Sequence, residues 1–221
     1  MRSLLAFLVG AFALGGVAHA QSGAAPAADR AFVEVFGGSA FGNVTSQSYG
    51  LALGATVAEN VQVFIEGGVV RNAATSDLGT AAQVIAGYLS QTQANVTFTA
   101  KEPVTFGVAG VKFLVPMNSS SMRVKLQPYV LLGGGLAKVK RDVSFAIAGS
   151  DVTSSLGTYG VTLGTDLSGG NNKPMLVVGG GIGVPIGRQF LFDLQYRYGR
   201  IFTEDQGMNV SRAGIGLGVR F

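Results

Sequence analysis

The chain has no cysteine and no tryptophan, and its single histidine, His19, lies within the first twenty residues. Without cysteine there is no disulfide framework, no thiol nucleophile and no thiolate metal site. Setting His19 aside also removes Ser-His and Cys-His catalytic pairs and the usual zinc and copper ligand sets. Charge is scarce: 13% of residues are Asp, Glu, Lys or Arg, and the net charge of +4 becomes +3 without Arg2. The basic residues are dispersed rather than gathered in a stripe, so no nucleic-acid partner is indicated. Beyond residue 20 there is also no uninterrupted apolar run of about 18 residues, the length a membrane helix needs. The best stretch, Met175 to Gly187, is broken by glycine and proline.

The first twenty residues have a different character. Arg2 supplies a positive start, Leu4 to Val17 is apolar, and Ala18-His19-Ala20 has the small-x-small form of a cleavage site. That is the pattern of a removable signal peptide over 1–20, followed by a short leader over 21–30. Residues 31–221 form the remaining domain.

What this domain has in abundance is glycine, 34 in the whole chain, beside 48% hydrophobic residues. Neither a disordered tail nor an ordinary helical core has that composition. Alternation at period two marks eight segments, near 31–41, 48–57, 61–70, 103–115, 122–139, 175–186, 190–202 and 210–221. Their connections alternate in length. Ala58 to Asn60, Pro116 to Ser121 and Gly187 to Gln189 are short, while Arg71 to Glu102 and Lys140 to Pro174 are long. An even-stranded barrel with short turns on one side of a membrane and long loops on the other shows this rhythm.

Pairing the segments gives a register in which both faces make sense. Centring one hairpin on Glu59 sets Val57, Ala55 and Leu53 outward against Val61, Val63 and Ile65. Thr56, Gly54 and Ala52 then face inward against Gln62, Phe64 and Glu66. Centring another on Arg188 sets Ile186, Val184 and Ile182 outward against Phe190, Phe192 and Leu194. Gly183, Gly181 and Gly179 then face Asp193, Gln195 and Arg197 inside. A large inward chain over a glycine fills a narrow barrel. The last strand alternates in the same way, with Ala213, Ile215, Leu217, Val219 and Phe221 on its greasy face. A terminal aromatic on such a strand has the form of a barrel assembly signal, carried here by Ile215, Leu217, Val219 and Phe221.

Several motifs carry a family likeness. Gln127-Pro128-Tyr129-Val130 with Gly133-Gly134-Gly135, Gly183-Val184-Pro185-Ile186-Gly187, Leu194-Gln195-Tyr196-Arg197-Tyr198 and the closing Gly-x-Gly-x-Arg-Phe resemble the OmpA/OmpX-type outer-membrane β-barrel family. The resemblance implies an all-β fold, an eight-stranded antiparallel up-and-down transmembrane β-barrel in the outer membrane. It also implies outer-membrane lipid and lipopolysaccharide as surroundings, and barrel-assembly machinery and periplasmic chaperones as partners. No segment resembling a periplasmic peptidoglycan-binding domain follows the barrel.

The inward face collects Glu34, Glu66, Lys112, Arg123, Lys125, Asp193, Arg197, Arg212 and Arg220. Held away from water, such charges form an ion-pair network that fills the lumen. The competing reading is a narrow porin-like channel for ions or small solutes. Outward aromatics form two girdles: Phe113, Phe190, Phe192 and Phe221 at one end, Tyr49 and Tyr198 at the other. A soluble binding barrel would instead keep its apolar face inside.

In the long loop 71–102, Leu78, Ala82, Ile85 and Leu89 follow Asp77 at helical spacing, predicting a short helix behind an Asp cap. Val96, Phe98, Val143, Phe145, Val161 and Leu163 extend hairpins beyond the membrane, or add a pair of strands to make ten. The carboxylate pair Glu204-Asp205 reads as a loop tip rather than acid–base machinery. Gly181 to Gly187 lacks dinucleotide spacing, and no phosphate-binding lysine follows it. The expected protein has no cofactor, no metal and no catalysis. Its role is structural and surface-interacting, with loops 71–102 and 140–174 available to a ligand.

Overall fold

The computed structural model describes residues 31–117, 126–164, 167–203 and 207–221. The elements in chain order are β1 (Ala31–Phe41), β2 (Ser46–Ala58), β3 (Val61–Val70), α1 (Ser76–Leu89), β4 (Val96–Lys101) and β5 (Val104–Leu114). There follow β6 (Gln127–Ile147), β7 (Ser150–Asp151), a 3-10 helix (Thr153–Tyr159), β8 (Ser168–Ile186), β9 (Phe190–Ile201) and β10 (Met208–Arg220). The signal peptide and leader read from the sequence lie outside the described residues, as does the first part of the segment expected at 122–139.

Eight strands close a ring in the order β1-β2-β3-β5-β6-β8-β9-β10, with every neighbour antiparallel. The ring closes where β10 returns to β1, from Phe32↔Arg220 to Phe41↔Ser211. Ala31 N donates to Phe221 O at 2.9 Å, and Phe221 N donates back to Ala31 O at 3.0 Å. A closed ring pairs its backbone donors and acceptors without leaving an edge, which is what hydrocarbon demands.

Alternate residues point outward and form an apolar belt. Leu53, Ile65, Val130, Leu132, Val178, Ile182, Leu194, Ile215 and Leu217 are all exposed on it. In water such a belt would be an aggregation hazard; in a bilayer it is the lipid-facing surface. The soluble-barrel alternative fails on this surface. Phe113, Phe190 and Phe221 stand exposed at the short-turn end, Tyr49 at the other, while Phe192 and Tyr198 are partly covered on the same outward face.

The β8–β9 register is the predicted one, with Gly183↔Asp193, Gly181↔Gln195 and Gly179↔Arg197. The β2–β3 hairpin differs at one place. Thr56↔Gln62, Gly54↔Phe64 and Ala52↔Glu66 hold, but a bulge between Thr56 and Ala58 sets Ala58 opposite Val61 in place of Val57. An extra residue beside a tight turn adds twist, which a small closing sheet needs.

At the long-loop end the structure corrects three expectations. Strand β6 does not stop near 139; it runs to Ile147, so Val143 and Phe145 extend it beyond the belt as their alternation indicated, and β4, with Val96 and Phe98, pairs with this upper part from Val96↔Ile147 to Lys101↔Asp142. Thus β4 and β7 lengthen the wall above the belt, and the ring keeps eight strands rather than ten. Val161 and Leu163 form no strand and pack partly buried against the loop core. Helix α1 forms as expected, but its cap is Thr75, whose side chain accepts from Leu78 N, and Asp77 sits inside the first turn.

Candidate functional site

Inside the ring, short inward residues make room for long ones. A Cβ at Gly216 would strike the Glu34 carboxylate, and one at Gly181 would come within 2.5 Å of the Tyr129 hydroxyl. Into these spaces the predicted charges converge. Glu34, Glu66, Lys112, Asp193, Arg197 and Arg212 are all buried. Arg212 Nη2 donates to Glu66 Oε1 at 2.8 Å, and Arg197 Nε lies 3.5 Å from Glu66 Oε2. Tyr129 Oη donates to Asp193 Oδ2 at 2.5 Å and accepts from Arg197 Nη2 at 3.1 Å. Gln195 Nε2 donates to Glu34 Oε1 at 2.9 Å.

Aromatic faces complete the network. Lys112 Nζ lies 4.2 Å from the Tyr129 ring centroid and 4.6 Å from that of Phe32; Arg212 Cζ lies 4.1 Å from that of Phe106. Cations buried in a narrow lumen are thus held by carboxylates and by ring faces together. Arg220 sits half-buried at the short-turn rim. Arg123 and Lys125 lie outside the described residues. A cavity of about 10 Å³, the size of one water, is bounded by Phe36, Ser48, Gln195, Arg197 and Arg212.

The upper lumen was not anticipated. Above the charges, the inward positions turn aliphatic: Val70, Val104, Ala137, Val139, Met175, Val177, Ile201, Met208 and Val210 are buried in one cluster. Ile201, with no exposed surface, faces Met175 on β8 and Met208 on β10. These residues form an apolar plug in the lumen toward the long loops. The sequence carries a sign of it, since Val69-Val70 and Met175-Leu176-Val177-Val178 are apolar on both faces and so lose their alternation.

Above the plug stands a lobe with a core of its own. Leu78, Ala82, Ala86 and Leu89 of α1 pack with Val143, Phe145, Val152, Leu156 and Leu167. Thr153 N donates to Asp151 Oδ1 at 2.8 Å. This bond and the Thr153 hydroxyl hold the Asp151 carboxyl below the usual carboxylate range. The lobe is fastened to the barrel by Glu102, fully buried, which accepts from Thr75 N at 2.7 Å and from Arg141 Nε at 3.1 Å. Asn72 Oδ1 accepts in turn from Glu102 N and Ala74 N. Sequence reasoning missed this clasp because its members are far apart in the chain. Between lobe and plug lies a vestibule of about 880 Å³, bordered by Asn43, Thr75, Glu102, Arg141, Lys173 and Asn209. Among the described residues, no three His, Cys, Asp or Glu side chains converge to hold a metal ion.

Ile215, Leu217, Val219 and Phe221 lie exposed on the outer face at the end of the chain. The apolar belt and the closed eight-strand ring define a small transmembrane barrel of the outer-membrane type. Among solved structures the chain is similar to Neisserial surface protein A, at 13% identity and a TM-score of 0.53, covering 90% of this chain and 100% of that one. It is also similar to Ail, the attachment invasion locus protein of Yersinia pestis, at 14% identity and a TM-score of 0.48, covering 87% and 99%. A third is the outer membrane protein OprG from Pseudomonas aeruginosa, at 12% identity and a TM-score of 0.46, covering 87% and 97%. These neighbours are outer-membrane β-barrels. No protein-family model and no curated protein matches the sequence.

Proposed function

We propose that the protein is a closed, non-catalytic barrel of the outer membrane that presents the α1–β4–β7 lobe at the cell surface as a contact platform. The observation that carries this reading is the apolar plug around Ile201, which lies above a lumen occupied by buried charges held by ion pairs, hydrogen bonds and ring faces. A water-filled channel needs a continuous polar path, and a hydrophobic constriction of this kind dewets. The lobe has a buried core of nine residues and a clasp at Glu102, so its surface is held in one shape rather than left as loose loops. A preformed surface binds without the ordering cost that a loose loop carries.

Single-channel recording on the refolded protein in a planar bilayer tests closure. Silence from barrels shown by circular dichroism to be folded is the expected result. Reproducible discrete steps altered by Arg197→Ala or Glu66→Ala would instead establish the narrow-channel reading. Whole-cell binding to matrix-coated surfaces, compared between the intact chain and a chain whose lobe is replaced by a short turn, tests the platform. Equal binding by both chains would remove the lobe from the function.

A further inference from the structure

Strand β4 pairs with β6 on one side, and its other edge is open. Three backbone bonds fix which groups lie along that edge. Asn95 O accepts from Ala148 N at 3.1 Å and Pro103 O from Lys140 N at 3.0 Å, so Thr97, Thr99 and Lys101 turn their backbone groups toward β6. Glu102 O accepts from Ala73 N at 2.8 Å on the opposite side, above the end of β3. The N–H and C=O groups of Val96, Phe98 and Ala100 therefore point along the open edge. Among the described residues, none of these groups has a hydrogen-bond partner. They recur about every 6.6 Å.

Nothing in the strand blunts this edge. Val96 to Lys101 contains no proline and no bulge against β6, and its one charge, Lys101, sits at the barrel end opposite Asp142. Open edges are usually defended by such devices, because they are templates for a further strand. Helix α1 and the lobe core cover the face that carries Val96 and Ala100, but not the edge itself. Phe98 is 37% exposed although its ring lies 6.4 Å from that of Phe145. Thr97 and Thr99 stand exposed on the other face.

This edge is complementary to itself. A second β4 set antiparallel and centred on Phe98 places Phe98 opposite Phe98 and Val96 opposite Ala100. Every unpaired donor on one copy then meets an acceptor on the other. Thr97 falls opposite Thr99, a favourable cross-strand pair. Lys101 falls opposite Asn95, so no charge meets its like. A shift of two residues leaves Val96 or Ala100 unpaired in both copies. The direction of β4 decides where the second copy sits. The strand descends from Val96, level with Ile147 at the far end of β6, to Lys101, beside the start of β5 and the ring. Antiparallel pairing puts the two barrels at opposite ends of the joint sheet, with their long-loop ends facing. Copies in one membrane carry β4 in the same direction and do not form this register.

We propose that the β4 edge pairs with the β4 edge of a second copy in a facing membrane, so that the lobe joins two cells bearing this protein. The inference rests on the contact platform proposed above and names its partner. So short a ladder is weak singly, and many copies on two apposed surfaces make it strong.

The test uses the full chain reconstituted into phosphatidylcholine vesicles, with clustering read by light scattering and by energy transfer between dyed vesicles. Vesicles carrying the protein should cluster with one another and leave protein-free vesicles unattached. Thr97→Lys/Thr99→Lys sets like charges directly opposite and should abolish clustering. Ser154→Lys/Thr158→Lys, on the 3-10 helix beyond β7 and so across β6 from β4, should leave it unchanged. Register is read separately, because the chain has no cysteine. Vesicles bearing Thr97→Cys mixed with vesicles bearing Thr99→Cys should give a disulfide-linked dimer on mild oxidation, and either alone far less. Heat-modifiable migration and a protease-resistant lobe show that each variant is folded. Should the lysine variant not fold, the cysteine pair decides. Clustering kept by the folded lysine variant, attachment to protein-free vesicles, or equal cross-linking in every mixture overturns the proposal. Absence of clustering while whole-cell binding to matrix still depends on the lobe overturns the pairing and leaves the platform standing. Clustering that survives replacement of the lobe by a short turn removes the platform, and this pairing with it.

Discussion

Arg212 on β10 donates to Glu66 on β3 at 2.8 Å, although β1 and β2 stand between those strands in the ring. The pair ties two walls of the lumen together across residues 146 apart in sequence. Arg197 of β9 approaches the second oxygen of the same carboxylate at 3.5 Å. One carboxylate thus compensates two buried cations. Removing it leaves Arg212 without its carboxylate and Arg197 with only Tyr129 and backbone acceptors, whereas replacing a whole pair by apolar groups can be neutral. Glu66→Ala is expected to cost about 3–5 kcal/mol. Urea unfolding in vesicles, followed by circular dichroism, measures this, and an unchanged midpoint would mean the network contributes nothing.

The plug can be tested by access, because a chain without cysteine accepts a single reporter thiol. Ser48 is buried on the wall of the small luminal cavity beside Arg197 and Arg212. A thiol introduced as Ser48→Cys should react slowly with a membrane-impermeant maleimide added to intact cells. Adding Ile201→Ser should speed that reaction, since a hydroxyl between Met175 and Met208 lets water into the upper lumen. Equal rates in the two backgrounds would show that the plug does not control access.

The lobe and the barrel have separate cores, and a variant should separate their stabilities. Phe145 is buried in the lobe core, with its ring centroid 6.4 Å from that of Phe98. Phe145→Ala is expected to cost about 3–5 kcal/mol. The loss should appear as protease cleavage within the lobe on intact cells, while the ring keeps its heat-modifiable migration. Loss of that migration together with the lobe would mean that the two fold as one unit.

The outward assignment predicts a charge penalty. Leu217 and Ile182 are exposed on the belt. An arginine at either position should cost about 2–4 kcal/mol near the bilayer midplane and block stable insertion. Outer-membrane accumulation of Leu217→Arg or Ile182→Arg at the level of the unaltered protein would refute the facing.

The lower barrel was legible because its two faces differ chemically. Glycine opposite Asp193, Gln195 and Arg197, with aliphatics between, admits one register, and β8–β9 adopts it. The upper lumen was not legible where Val70 and Val177 face inward beside outward Val69, Leu176 and Val178, which are equally apolar. A period-two signal disappears when both faces are greasy. The Val57 bulge left no residue signature. Val143 and Phe145 showed that β6 extends, but its end at Ile147 depends on pairing with β4, some forty residues earlier in the chain, so local pattern could not set it. Helix α1 was visible by spacing; its cap was misplaced by two residues, since Thr75 and Asp77 are both good capping types.

Glycine abundance supports a sharper expectation, since glycines in one barrel should not all matter equally. At Gly110 on β5 an added Cβ would sit 2.6 Å from Gly133 Cα on β6 and strike the Leu132 carbonyl oxygen. Both neighbours are backbone of the adjoining strand, and neither can move without breaking the ladder between Gly110 and Gly133. At Gly199 on β9 the nearest atom is the terminal Met175 Cε, and the backbone atom Val210 O lies 3.5 Å away. A methionine end can rotate aside at small cost. Gly110→Ala should therefore lower stability by about 1–3 kcal/mol, while Gly199→Ala stays within about 1 kcal/mol of the unaltered protein. Urea midpoints for the two variants decide between close strand approach and mere composition as the reason for glycine here. If both fall equally, strand spacing is not what selects it.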